Sequence, residues 1–146
     1  MIILDANVLS ELSRQHPDPA VLSWLDSQPA GETATTAITA AELLYGVARL
    51  PEGRRKAGLA EAVSGMLDDD LRGRIEAFDA AAAAHYPVIV VGREKAGRPI
   101  GAADAQIASI CRKLQATLAT RNTDDFTGTG IELVDPWRVS DPPGDS

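Results

Sequence analysis

The strongest constraint on this chain is an alternation of two patterns. Short apolar, β-prone runs occur at residues 1–4 (MIIL), 33–38 (TATTAI), 117–120 (TLAT) and 131–134 (IELV), with a weaker one at 74–78 (RIEAF). Between them lie segments with apolar residues at helical spacing, such as Val21, Leu22 and Leu25, or Ile107, Ile110, Cys111 and Leu114. Apolar runs without a polar face belong to strands buried on both sides. Strands alternating with helices give a parallel sheet covered by helices on both faces. The expected fold class is α/β, a single domain with a central parallel β-sheet of about five strands.

The chain has 146 residues, which suits one domain. That domain is expected over residues 1–137, with a tail at 138–146, rich in Pro, Gly, Asp and Ser, frayed beyond it. No run reaches the roughly 20 apolar residues of a membrane span, and the N-terminus has no basic segment ahead of its apolar run. Cys111 is the one cysteine, so no internal disulfide can form. A soluble, cytoplasmic protein without a membrane partner is expected.

Helix boundaries are marked by local chemistry. Asp18 stands as N-cap with Pro19 at the first helical position. Thr39 and Glu42 have the spacing of a capping box at the start of the helix carrying Leu43, Leu44, Val47 and Leu50. Asp68, Asp69 and Asp70 form a polar stop after a helix bearing Leu59, Val63, Met66 and Leu67. Residues 79–97 are ambiguous. Asp79 caps an alanine-rich helix that Pro87 disrupts, and VIVV at 88–91 taken alone reads as a strand.

Ligands of open parallel sheets bind beyond the carboxyl ends of the strands. Four acids fall at such positions. Asp5 ends the first apolar run, and Glu42 lies in the segment after the second. Asp104 opens the helix leading into the fourth, and Asp125 follows the fourth. Each has an ordinary explanation: a helix cap for Asp5, the capping box for Glu42, the helix dipole for Asp104 and a polar turn for Asp125. Taken together they put several like charges at one edge, where they raise one another's pKa unless a cation intervenes. Oxygen-only ligands select hard ions such as Mg²⁺ or Mn²⁺.

Asp5 in LDANVL, Glu42 in TAAELLYG, Asp104 in IGAADAQIA and Asp125 in TRNTDDF resemble, in order and context, the acidic motifs of the PIN-domain ribonucleases. More narrowly, the chain is similar to VapC-type toxins of toxin–antitoxin pairs, near the FitB subgroup. The resemblance spans about residues 1–137. It implies a metal-dependent endoribonuclease in which Asp5, Glu42, Asp104 and Asp125 are the catalytic and metal-binding acids. Asp5 and Asp104 would hold Mg²⁺ or Mn²⁺ most directly. Asn7, Thr39, Thr120 and Asn122 would support the site, and Asp124 competes with Asp125 for the fourth acidic position. It further implies an RNA substrate, a cognate antitoxin, a homodimer, and a helix across 79–97 kinked at Pro87.

The formal net charge is −7, which repels nucleic acid in general. RNA contact would therefore rest on local cations, with Arg49, Arg54, Arg55, Arg98 and Arg121 as candidates. Arg93, Lys95 and Arg98 also form a basic cluster, as expected of a solvated face. Two rival functions are a PIN-like module that binds RNA or protein without cleaving, and a Mg-dependent phosphohydrolase of the haloacid dehalogenase type. The latter needs an acid two residues after the first, where this chain has Asn7. His16, His85 and Cys111 have no partner that suggests nucleophilic chemistry.

Overall fold

The computed structural model describes residues 1–139. Most of the tail expected at 138–146 lies outside the described residues. The chain runs β1 (Ile2–Leu4), α1 (Ala6–Leu12), α2 (Pro19–Asp26), β2 (Thr33–Thr36), α3 (Ala37–Ala48), α4 (Arg54–Gly65), β3 (Ile75–Glu76), α5 (Ala80–Ala83), α6 (Tyr86–Lys95), α7 (Ala102–Leu114), β4 (Thr117–Ala119) and β5 (Glu132–Val134). A π-helical turn, Met66–Asp70, extends α4, and a 3-10 turn, Thr123–Phe126, precedes β5. No helix among the described residues is long and apolar enough to cross a membrane.

The five strands are all parallel, in the order β3-β2-β1-β4-β5. The chain builds outward from β1 through β2 to β3, then returns to the other side of β1 for β4. The direction of winding therefore reverses between β1 and β4, and the crevice at their carboxyl ends is the place where such sheets bind ligands.

Strand alternation sends neighbouring residues to opposite faces. Leu4 and Ala119 join the core formed with Val8, Val21, Trp24, Leu43 and Val63 of α1–α4. Ile3 and Leu118 join the opposite core with Ile89, Ile107, Cys111 and Phe126. Both cores are mainly aliphatic, with Trp24 buried in one and Phe126 in the other. Each fully buried Ile or Leu contributes about 1.5–3 kcal/mol relative to exposure. That burial on both faces fixes the strand ends from which the site projects.

Three expectations need correction. Thr39 is not the N-cap of α3. Thr36, still in extended conformation, caps it three residues earlier, accepting the Thr39 N–H at 3.0 Å. Both hydroxyls are buried and need partners, and the Thr36 hydroxyl donates to Thr39 Oγ1 at 3.1 Å. The Thr39–Glu42 capping box therefore does not form, and Glu42 sits in the second turn of α3.

Residues 79–97 do not form one kinked helix. Asp79 caps the short α5, accepting the Ala82 N–H at 2.9 Å. The chain then turns at Ala84 and His85, and Pro87 lies in the first turn of a new helix, α6. Proline is tolerated there because its missing N–H would have had no intrahelical partner. Val88–Val91 are helical, so the strand alternative at VIVV is excluded.

The third concerns the cluster of Arg93, Lys95 and Arg98. Arg93 is buried rather than solvated.

Candidate active site

Asp5 follows β1 directly, and its backbone N–H continues the ladder to Ala119 O at 3.0 Å. Its Oδ1 accepts the Ala6 N–H at 2.9 Å and so caps α1. Its Oδ2 accepts the Thr120 hydroxyl at 2.8 Å. The capping and site readings of Asp5 are thus compatible, because each oxygen takes one role. Thr120 follows β4 and is fully buried. Its hydroxyl donates to Asp5 and accepts from Asn7 Nδ2 at 3.2 Å and from the Asn122 N–H at 3.1 Å. A hydroxyl has one donor and two acceptor positions, and all three are used. Asn7 Oδ1 accepts the Arg121 N–H at 3.1 Å. Asn7, Thr120 and Asn122 therefore lock the two strand ends around Asp5. Thr39 makes no such contact with the acids and serves the start of α3.

The electrostatics draw the other acids together. Burial pushes the Asp5 carboxyl above its ordinary value. Thr120 and the Ala6 N–H, which bind the ionised form, oppose this, and the charge of Asp125 adds to it. Glu42 is raised by partial burial, then by the charges of Asp5 and Asp104. Asp104, in the first turn of α7, is raised by burial, then by Asp5 and Asp125, with Arg93 opposing. At the carboxyl edge, Asp5 and Asp104 thus feel the charge of Asp125, and Glu42 feels the charges of Asp5 and Asp104. Asp124 contributes to none of these shifts. It is exposed, and its carbonyl accepts from Arg98 and from the Thr127 hydroxyl.

Among the described residues, no group of three or more His, Cys, Asp or Glu side chains is gathered closely enough to hold one ion together. The donor set is nonetheless all oxygen, and its carboxyls carry unbalanced negative charge. That suits Mg²⁺, which commonly takes one or two carboxylates, keeps several waters and shares substrate phosphates. Soft metals that need thiolate or imidazole find no ligands among these acids.

Arg93 is a residue the sequence reading did not single out for the site. Its guanidinium donates through Nε to Arg98 O at 2.6 Å, and through Nη1 to Asp125 O and Thr127 O, both at 2.9 Å. It therefore fastens α6 to the turn carrying Asp125, while its charge reaches Asp104. Gly128, at φ +76, follows immediately and lets the chain turn away in a left-handed conformation. The available clue was spacing, since Arg93 lies four residues after Ile89 and shares its buried helix face.

The other candidates fall elsewhere. Cys111 is in the core, and burial pushes its thiol up to about 12. His16 is exposed in the turn before α2, and His85 lies between α5 and α6. Arg121 stacks on Trp137, its guanidinium carbon 4.8 Å from the ring centre.

The comparisons with known proteins agree with this architecture. Residues 2–131 match the family model described as PIN domain. The chain is 37% identical over 137 residues to VapC ribonuclease Y4jK of Sinorhizobium fredii, covering 94% of this chain and 98% of that protein. It is 39% identical over 137 residues to Toxin FitB of Neisseria gonorrhoeae, covering 94% and 99%. A crystal structure of FitAcB from Neisseria gonorrhoeae superposes with a TM-score of 0.87 at 38% identity, covering 95% of this chain and 100% of that chain. With the match across nearly all of the described residues and the sheet order and edge acids in place, the chain belongs to the PIN-domain family, alongside the VapC ribonuclease and FitB toxin relatives.

Proposed function

We propose that this chain is a metal-dependent endoribonuclease and the toxin of a toxin–antitoxin pair. The observation that carries the proposal is the placement of Asp5, Glu42, Asp104 and Asp125 around the switch point between β1 and β4, where Asp5 and Asp104 feel the charge of Asp125 and Glu42 feels the charges of Asp5 and Asp104. Carboxylates that raise one another's pKa in a cleft are better explained by a cationic ligand than by capping. The names VapC ribonuclease and Toxin FitB support RNA as substrate and toxicity as role.

Asp5 and Asp104 would hold Mg²⁺ or Mn²⁺, and Glu42 and Asp125 would orient waters around it or complete a second ion site. When bound, the ion supplies charge stabilisation at a phosphodiester and makes attacking water more acidic. Thr120 and Asn7 fix the Asp5 carboxylate, Thr120 by donating to it in its ionised form. Arg93 holds the Asp125 turn. A cognate antitoxin, homodimerisation and a cytoplasmic setting complete the proposal.

The test is cleavage of RNA by antitoxin-free protein with Mg²⁺ or Mn²⁺, alongside the same metals' effect on melting temperature. Asp5→Ala and Asp104→Ala are expected to abolish cleavage and the metal-induced stabilisation together. Metal-dependent cleavage surviving both substitutions would overturn the site. The loose grouping of the acids favours one rival, a binding module that retains RNA without cleaving it. That reading gains if wild-type protein binds RNA but leaves it intact at every metal concentration.

A further inference from the structure

Next to the acids, α1, α3 and α4 enclose an open groove of about 810 Å³. Ala6 and Glu42 line it, so it opens directly onto the Asp5 end of the site. Its floor is apolar, with Leu43, Leu59 and Val63, and its rim carries Arg14, Arg49, Arg54 and Arg55. Arg14 is paired with Glu11 at 3.2 Å. Among the described residues, none of Arg49, Arg54 and Arg55 has a carboxylate within ion-pair distance. All three are exposed. In a chain of net charge −7, three cations without counter-charge beside a cluster of acids are conspicuous.

The helical spacing gives this groove a direction. Glu42, Tyr45 and Arg49 lie at i, i+3 and i+7 of the α3 segment and so share one side of it, over about 10 Å. Tyr45 is 65% exposed, and the Arg49 guanidinium lies 5.9 Å from its ring centre. An exposed aromatic ring beside unpaired cations is the arrangement that holds single-stranded nucleic acid, by stacking a base and neutralising phosphates. The other basic candidates differ. Arg98 is engaged with Asp124 O, and the ring beneath Arg121, Trp137, is half-buried where Tyr45 is exposed.

Resting on the ribonuclease reading above, we propose that this groove is the track that delivers the RNA strand to the acids. Arg49, Arg54 and Arg55 bind backbone phosphates on one side of the scissile bond, and Tyr45 stacks a base beside them. Charge complementarity and continuity with Glu42 favour RNA over a protein segment. The residues act on substrate binding and leave the bond-breaking step to the acids.

The experiment measures binding of a short, fluorescein-labelled single-stranded RNA of mixed sequence to the full chain in EDTA, as a function of salt. Cleavage of the same RNA in Mg²⁺ or Mn²⁺ is measured in parallel. Variants are Arg49→Gln, Arg54→Gln, Arg55→Gln and Tyr45→Ala. Arg72→Gln serves as control, an exposed arginine before β3 at the amino edge of the sheet that removes the same charge. Each groove arginine is expected to reduce the slope of log affinity against log salt by about 0.7, the value for one single-strand phosphate contact. Each raises KM while kcat stays near wild type, and Tyr45→Ala weakens binding about tenfold. Arg72→Gln leaves the slope and KM unchanged.

Groove variants that bind and cleave like wild type, or no more weakly than Arg72→Gln, overturn the track. Unchanged RNA binding with loss of the complex with the cognate antitoxin overturns it in favour of a protein occupant. Failure of wild type itself to bind or cleave RNA under any metal condition instead overturns the underlying ribonuclease reading.

Discussion

The Thr120 hydroxyl donates to Asp5 Oδ2 at 2.8 Å, joining the ends of β1 and β4 across 115 residues of sequence. Because Thr120 spends its one proton on Asp5 and both acceptor positions on Asn7 and Asn122, Thr120→Val has calculable consequences. It leaves the Asn7 amide only its 3.5 Å hydrogen bond to Asp5 Oδ2, takes the acceptor from the Asn122 N–H and removes a donor that stabilises the ionised Asp5. The expected destabilisation is about 1–3 kcal/mol, and the expected loss of activity is about 10–100-fold, as for other groups that orient a metal ligand. The Asp5 pKa rises further, so the acid limb of the pH–rate profile moves to higher pH. Thr120→Ser retains all three bonds and stays near wild type. An acid limb that does not move in Thr120→Val would show that the hydroxyl does not govern Asp5.

The acids predict a trade between stability and function. Asp5, Glu42 and Asp104 all have raised folded-state pKa values. The folded state therefore holds protons that the unfolded state has released. The contribution of these groups to stability is largest below their unfolded values near pH 4 and is lost as pH rises through the folded values. Asp104→Asn removes one of the repelling charges. It is expected to melt about 2–4 °C above wild type at pH 7 without metal, with the gap closing as pH falls toward 4. Mg²⁺ or Mn²⁺ reverses the order by stabilising wild type more than the variant. Thermal melts across pH, with and without metal, check both statements. A gap that widens on acidification contradicts the assignment.

Much of this architecture is legible in the sequence because the two cores leave clear patterns. MIIL and TLAT lie in central strands that feed both cores, while IELV forms the half-buried edge strand with Glu132 exposed, and each is a strand with ends within one residue of those expected. The positions of the acids follow from topology, since Asp5 and Thr120 terminate adjacent parallel strands. What was not legible depended on competition between equivalent residues or on distant contacts. Thr36 and Thr39 are both capable caps, and which one acts depends on where β2 releases the chain. Pro87 marks a helix break from either side, so sequence alone does not say whether it bends one helix or starts another. The role of Arg93 arises from carbonyls more than 30 residues away, and no local pattern encodes them.

The position of Pro87 is itself testable. In a helix interior, proline costs about 3 kcal/mol, so replacing it with alanine would stabilise by a similar amount. In the first turn of α6 the ring only restricts the unfolded chain. Pro87→Ala is therefore expected to lower stability slightly, by about 0.4–1 kcal/mol, as read from the urea midpoint. Stabilisation of several kcal/mol would restore the single kinked helix.

Arg93 offers the sharpest separation of position from charge. Its Nε and Nη1 donate in fixed directions to the carbonyls of Arg98, Asp125 and Thr127, a fork that a lysine ammonium does not reproduce. Arg93→Met fills similar space but leaves the three carbonyls without this donor. The expected cost is about 1.5–3 kcal/mol, the range for a hydrogen bond to a charged group. Arg93→Lys keeps the charge near Asp104 while losing the fork. If Arg93 acts by holding the Asp125 turn, both variants lose kcat by a similar factor with KM little changed, at a temperature where each is fully folded. If its charge on Asp104 dominates, Arg93→Lys keeps near-wild-type kcat and only Arg93→Met falls. The multiplicity of the bonds to the turn leads us to expect the first outcome. Hydrogen exchange at residues 122–127 provides the independent check, rising in both variants while protection of β1 and β4 is retained.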